Sequence, residues 1–257
     1  MIQANMYLVD IRYANNCLMK IFQLIHLYLA MNFYELFLLP YEQYEAYQIA
    51  LEAIATFFGL LSVYFSIKKN IWVYPTGIIS TVLYVYILWV FGLLGDMLIN
   101  FYYSVMSIIG WVLWHKSSKD HVHVEVSSAS RSEWTISTIL FFLSIVLVSV
   151  VYYFKPALDN GFNIKDSALG FSHLDWANYL DILTTAIFLV GMWLMAKRKI
   201  ENWLFWIVAD LISIPMYIYK GLGITSFQYL IFTVMAIIGY LEWKKSAKKD
   251  PAIASQS

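Results

Sequence analysis

Val105-Met-Ser-Ile-Ile-Gly-Trp-Val-Leu-Trp-His-Lys116 and Val234-Met-Ala-Ile-Ile-Gly-Tyr-Leu-Glu-Trp-Lys-Lys245 are two versions of one segment, 129 residues apart. Such a repeat is settled before any other feature, because it says that the molecule is built from copies of one unit. At the same offset Glu52 meets Asp181, Thr56 meets Thr185, and Lys68-Lys69 meets Lys197-Arg198. Between these anchors Trp72 is aligned with Trp203 and Tyr86 with Tyr217, which requires a two-residue slip that the next turn reverses. Residues 52–116 therefore recur as residues 181–245.

Composition says what the unit is made of. Of 257 residues, 61% are hydrophobic and 13% charged, against roughly 45–50% and about 25% in soluble domains. Several apolar runs approach or exceed the length of about 18 residues that marks a membrane span. Clean runs are expected over 46–67, 71–91, 97–114, 134–154, 176–196, 200–219 and 226–243. A weaker run, 18–39, carries His26 and Glu35 and either crosses the bilayer or lies along its surface. Each repeat thus holds three spans, and the lone span 134–154 separates them. Four crossings lie between the start of one repeat and the start of the next, so both enter the membrane from the same side as parallel repeats. The expected fold is all-α and polytopic: two parallel three-helix repeats joined by a linker helix, a 3+1+3 plan, plus an extra N-terminal helix. The divisions are 1–45 (N-terminal extension), 46–116 (first repeat), 117–175 (loop, linker helix and second loop), 176–245 (second repeat) and 246–257 (polar tail).

Charge placement orients the chain. Lys68, Lys69, Lys116, Lys119, Arg131, Lys197–Lys199 and the lysines at 244, 245, 248 and 249 fall on one side, and only Lys155, Lys165 and Lys220 on the other. Twelve against three in short loops puts the first side, and both termini, in the cytoplasm. Seventeen basic and seventeen acidic residues cancel, so no global field would draw nucleic acid. A single cysteine, Cys17, rules out an internal disulfide. No removable signal peptide is read at the N-terminus.

Candidate chemistry centres on Trp203-x-x-Trp206-x-x-x-Asp210. These residues share one face of a helix, and an acid within a span is a functional-site hypothesis by default. Trp203 alone also suits an interfacial belt beside Lys197–Lys199. Asn100, Asn178, Asp181 and Gln228 lie in first turns on the outer side, with Glu52 as the mate of Asp181. These acids either cap helix ends, face water or touch solute, and the amides equally serve as interhelical glue. Ser213 and other hydroxyls lie deeper, where a hydroxyl can bond back to its own helix. Asp120-His-Val-His-Val-Glu125, with His115 nearby, carries metal-ligand side chains, but a polar loop is ordinarily just solvated, so no metal and no cofactor are expected. No phosphate loop of the G-x-x-x-x-G-K-[ST] type occurs, and neither H-E-x-x-H nor G-x-S-x-G is present. A tryptophan face with a carboxylate favours flat cations, and the amides would bond hydroxyls or a carboxamide. A small, flat, cationic polyol fits.

Glu201-Asn-Trp-Leu-Phe-Trp206-Ile-Val-Ala-Asp210, the pair Gln228-Tyr229, and the helix ends Gly110-Trp-x-x-Trp114 and Gly239-x-x-x-Trp243 resemble the PnuC family of bacterial nicotinamide riboside transporters. Lys69-Asn70-Ile-Trp72-Val-Tyr-Pro75-x-Gly77 is similar to that family's second core helix. The resemblance covers residues 52–243. It implies a SWEET-like 3+1+3 fold in the bacterial inner membrane, in the form of a homotrimer. It also implies facilitated diffusion of nicotinamide riboside for NAD synthesis, drawn inward by a cytoplasmic nicotinamide riboside kinase. By motif position Trp206 would stack on the nicotinamide, Asp210 would take the family's Asn/Asp role, and Gln228 would bond the substrate. A SWEET-type sugar carrier shares the architecture, and a membrane enzyme using Asp210 as acid or base is the rival of a different class.

Overall fold

A computed structural model of the chain describes residues 39, 42, 44–90, 94–117, 123–165, 167–219 and 223–249. The N-terminal run expected over 18–39 lies outside the described residues but for Leu39. Among the described residues there are seven helices: α1 (Ala46–Ile67), α2 (Val73–Val90), α3 (Leu94–His115), α4 (Arg131–Asp159), α5 (Trp176–Ala196), α6 (Asn202–Tyr219) and α7 (Gly223–Lys249). All but α3 are long and apolar enough to cross a membrane by length and composition. At 22 residues, α3 is itself about 33 Å long. Helices are what these runs must form, since hydrocarbon offers no partner for a free N–H or C=O. Side chains such as Val82, Trp89, Phe142 and Leu211 stand more than half exposed on the outer faces, which suits contact with lipid. The chain is a multi-pass membrane protein.

Local signals fix the ends. Capping boxes open three helices: Glu45 with Gln48 at α1, Ser130 with Glu133 at α4, and Asp175 with Asn178 at α5. Pro75 stands third in α2, in the first turn, where no intrahelical donor is lost. The turns between first and second helices are identical in both repeats. Asn70 N–H donates to Phe65 C=O (2.9 Å) and Lys69 N–H to Ser66 C=O (2.9 Å); Lys199 and Arg198 do the same to Leu194 (2.9 Å) and Met195 (2.8 Å). Such a Schellman turn puts one residue in the left-handed region. Here those residues are Lys69 (φ 57°) and Arg198 (φ 62°), each at a cost of roughly 1–2 kcal/mol relative to glycine.

This geometry corrects the repeat alignment. α1 and α5 end, α2 and α6 begin and end, and α3 and α7 begin 129 residues apart, so the repeats keep register with no two-residue slip. The mate of Trp203 is Tyr74, not Trp72. Trp72 is 55% exposed, whereas Tyr74 and Trp203 are 0% and 2% exposed. Tyr74 meets Trp114 edge-on (5.1 Å, 88°), and Trp203 meets Trp243 edge-on (5.4 Å, 89°). Both rings lie over a glycine: a Cβ on Gly110 would come to 2.3 Å from Tyr74, and one on Gly239 to 2.6 Å from Trp203. What persists between the copies is a buried ring over a glycine, not the identity of the ring.

The helices close a cycle of contacts. α1 packs on α2, α2 on α3, α3 on α5, α5 on α6, α6 on α7, and α7 back on α1, while α4 packs on α5. At the junctions, repeat mates exchange equivalent bonds. Trp114 Nε1 donates to Met195 C=O (3.2 Å), and Trp243 Nε1 donates to Ser66 C=O (2.9 Å). The Ser66 hydroxyl reaches Met195 Sδ at 3.5 Å. The polar stretch 116–133, expected to be a loop, has a defined course where it is described. Val124 N–H donates to Lys69 C=O (3.1 Å), Ser127 N–H to Arg198 C=O (3.2 Å), and Ile200 N–H to Ser127 C=O (3.0 Å). Val124 and Val126 are buried between exposed His123 and Glu125. The segment is an extended strap across both turns, and its alternating valines carry the period of a strand.

Candidate functional site

A cavity of about 420 Å³ occupies the middle of the helix cycle, with side chains from all six of its helices in the wall. The α6 stripe Trp203, Trp206, Asp210 and Ser213 faces it, at spacings of three, four and three residues that keep all four on one side of a helix. Trp203 is buried in the packing against Trp243, so its place is at the base of the cavity and not in an interfacial belt. Trp206, one turn further along, is gripped by Phe188 of α5 (5.4 Å between rings) and Tyr103 of α3 (6.4 Å). Behind them Phe188 stacks on Tyr229 (6.0 Å), and Tyr229 lies nearly parallel to Tyr217 (5.1 Å, 13°). Gly191 lets α5 approach this cluster, since a Cβ there would sit 3.3 Å from Phe205 and 3.5 Å from Trp206. The tryptophan is therefore held in one orientation.

Asp210 is 2% exposed, and among the described residues it has neither a cationic partner nor a hydrogen-bond donor. Isolated ionised carboxylates are costly to bury unless a counter-charge reaches them. The same lining contains Glu52 and Asp181 and, among the described residues, no lysine or arginine. The cavity thus has a planar aromatic face, an uncompensated acid beside it, and an acidic approach. That combination attracts a flat cation.

Of the residues expected at the site, Trp203, Trp206, Asp210, Gln228, Asn100 and Asp181 all line this one cavity. Asn178 does not. Its Oδ1 accepts from Asp175 N–H (3.0 Å) while its own N–H donates to Asp175 Oδ1 (3.0 Å). The side chain is committed to opening α5, as a first-turn amide behind an aspartate readily is. Asp181 accepts from the Tyr152 hydroxyl of α4, which ties that helix to the cavity wall. Sequence reading passed over Tyr103, Phe188 and Tyr217, because single aromatics among seventeen Phe and twenty Tyr carry no mark of their own. Ser213 did carry a signal: it extends the Trp-Trp-Asp stripe by one further step.

The unbroken 129-residue register also reassigns the mates of the site. Trp206 corresponds to Gly77 and not Pro75, Asp210 to Thr81 and not Ile79, and Ser213 to Tyr84. Thr81 is neutral and bonded, to Ser104 Oγ (2.7 Å) and back to Gly77 C=O (3.0 Å). The Tyr84 hydroxyl is bonded to Thr56 Oγ1 (2.8 Å). A bulky ring in one half thus meets a small residue in the other at both levels, so the lining is asymmetric although the helices are not. Gly77 has its own packing reason, since a Cβ there would come to 3.0 Å from Ser62 Oγ.

Comparison with known proteins places these features. The family model described as nicotinamide mononucleotide transporter matches residues 49–245. The chain is similar to the nicotinamide riboside transporter PnuC of Escherichia coli (strain K12), with 24% identity over 212 residues, 77% of this chain and 87% of that protein. It is similar also to the nicotinamide riboside transporter PnuC of Neisseria mucosa, with 27% identity over 217 residues, 77% of this chain and 73% of the relative. Among solved structures, the crystal structure of the vitamin B3 transporter PnuC superposes with a TM-score of 0.57 at 25% identity, over 78% of this chain and 83% of that one.

Proposed function

This chain belongs to the nicotinamide mononucleotide transporter family, and from that premise we propose that it carries nicotinamide riboside into the bacterial cell by facilitated diffusion. The pyridinium ring stacks on Trp206, its positive charge lies against Asp210, and Gln228, Asn100 and Asp181 offer hydrogen bonds to the carboxamide and ribose, with Trp203 below. The observation that carries this reading is the buried Asp210 carboxylate, without a partner among the described residues, on the same face as a fixed tryptophan. A cationic ring supplies the missing counter-charge while it lies on the tryptophan. The lining also favours the riboside over its phosphate ester. A phosphate group would enter past Glu52, Asp181 and Asp210 with no described lysine or arginine to receive it.

The remaining parts of the reading follow the family resemblance, for a SWEET-like 3+1+3 arrangement of parallel repeats and a homotrimer in the inner membrane, and the placement of lysine and arginine, for both termini in the cytoplasm. Passage is uncoupled, and phosphorylation by a cytoplasmic kinase on the way to NAD makes it net uptake. Radiolabelled nicotinamide riboside equilibrating into proteoliposomes tests this. The unmodified chain is expected to fill the vesicles, and Trp206→Ala and Asp210→Ala to slow filling strongly. Normal uptake by both variants would sink the site assignment, and uptake that follows an imposed proton or sodium gradient would sink the uncoupled mechanism.

A further inference from the structure

Hydroxyls inside apolar helices ordinarily satisfy themselves by bonding the carbonyl one turn back. Thr76, Thr81, Ser104 and Thr233 do so, to Trp72 (2.7 Å), Gly77 (3.0 Å), Asn100 (3.0 Å) and Tyr229 (2.9 Å). Ser80 instead crosses to Ala55 C=O of α1 at 2.7 Å. Ser213 does neither. It has 0% exposure and lines the cavity, and its Oγ is without a hydrogen-bond partner among the described residues. An unmet buried hydroxyl forfeits on the order of 1–3 kcal/mol, and such a group in the wall of a site is accounted for when a ligand completes it.

Its position narrows what that ligand presents. Ser213 is three residues beyond Asp210 on one helix face, so the two side chains sit about one turn apart, roughly 5–6 Å between Cβ atoms. The repeat mate Tyr84 fills the equivalent position with a ring whose hydroxyl already bonds Thr56. The exchange of Tyr for Ser puts a smaller side chain one turn from Asp210, with a donor and acceptor that has no partner among the described residues. A ring stacked on Trp206 with its charge at Asp210 puts the substituent on its ring nitrogen within reach of this side chain.

We propose that Ser213 is a specificity-determining residue that reads a sugar hydroxyl of the substrate, completing a Trp206–Asp210–Ser213 stripe. The assignment rests on the riboside reading above and adds to it a residue that distinguishes ribosides from deoxyribosides. The test measures binding of nicotinamide riboside and of its 2′-deoxy and 3′-deoxy analogues to the full-length protein in detergent, unmodified and as Ser213→Ala and Ser213→Thr. Ser213→Ala is expected to weaken nicotinamide riboside by about three- to tenfold, the worth of one hydrogen bond. One of the deoxy analogues should bind the unmodified protein and Ser213→Ala equally, because the contact is already missing, and Ser213→Thr should retain most of the riboside affinity. Equal affinity of the unmodified protein and Ser213→Ala for the riboside would overturn the proposal. So would an equal loss for the riboside and both analogues, which would mark Ser213 as merely structural. Failure of the unmodified protein to bind any of the three would instead overturn the riboside reading, and the Ser213 assignment with it.

Discussion

Asp210 and Trp206 act on a cationic ring by different physics, and two substitutions separate them. Asp210→Asn keeps the side-chain shape and its place on the α6 stripe while removing the charge. Opposite unit charges about 4 Å apart attract by roughly 4 kcal/mol at an effective dielectric of about 20, partly offset by desolvation, so affinity for nicotinamide riboside is expected to fall by roughly ten- to a hundredfold. Affinity for neutral nicotinamide should change little. Calorimetric titration of both ligands decides it, and a parallel loss for both would mean that Asp210 shapes the cavity and does not pair with charge. Trp206→Phe should weaken both ligands together, because the face it offers is smaller but still aromatic. Asp210 and Trp206 were legible in the sequence because an acid in a span and tryptophans on its face are rare. Their supports Phe188, Tyr103 and Tyr217 were not, since a ring's role there comes only from partners on other helices. Asn178 misled for the converse reason. A polar residue in a first turn looks the same in sequence whether it faces a solute or closes a capping box, so Asn178→Ala is expected to cost about 1 kcal/mol of stability and leave substrate affinity unchanged. A thermal melt read alongside the titration separates those outcomes.

At the scale of elements, the strap over 123–130 joins what the sequence kept apart. Its valines bury against two turns that belong to different repeats, and its backbone bonds to Lys69, Arg198 and Ile200. It is fastened beyond Ser127 as well, by Ala129 N–H to Glu201 Oε2 (2.9 Å) and by the ion pair of Lys199 with Glu133 (3.1 Å). Val126→Asp would place a charge at a site only 3% exposed, where burying a carboxylate is costly, and should detach the strap without touching any span. Hydrogen exchange is expected to quicken at Val124, Ser127 and Ile200, the amides that lose their carbonyl partners, while amides in the middle of α5 and α6 stay protected. Unchanged exchange at those three positions would show that the strap contributes nothing to the turns. The helices themselves were readable from apolar run length and the breaks at Gly, Pro and Lys, with α4 and α7 running on past the expected ends at 154 and 243 to Asp159 and Lys249. The strap was not, because its polar composition is that of a loop and only two valines disclose its buried side.

For the whole molecule, the register of 129 residues separates what the repeats share from what they do not. The shared part is the scaffold: the Schellman turns, the ring-over-glycine contacts at Gly110 and Gly239, and the two indole bonds that cross between the halves. The unshared part is the lining, where Trp206 faces Gly77, Asp210 faces Thr81 and Ser213 faces Tyr84. The identity of Trp72 and Trp203 had suggested a slip that hid these pairs, because matching letters compete with matching burial and burial is set only by the folded chain. Scaffold substitutions should then have equal effects in the two halves. Trp114→Phe and Trp243→Phe each remove one indole donor from an equivalent helix end, at a net cost of about 1 kcal/mol apiece. Both should lower the unfolding temperature by a similar amount. Their rings lie 6.1 Å apart, so the double variant should depart from additivity, as neighbouring sites do. Neither should change the rank order of ligands, since neither indole lines the cavity. Unfolding temperatures of the two single variants and the double variant in one detergent make the comparison. If Trp114→Phe were tolerated and Trp243→Phe were not, the two junctions would be unequal, and the symmetry would belong to the backbone trace and not to the energetics.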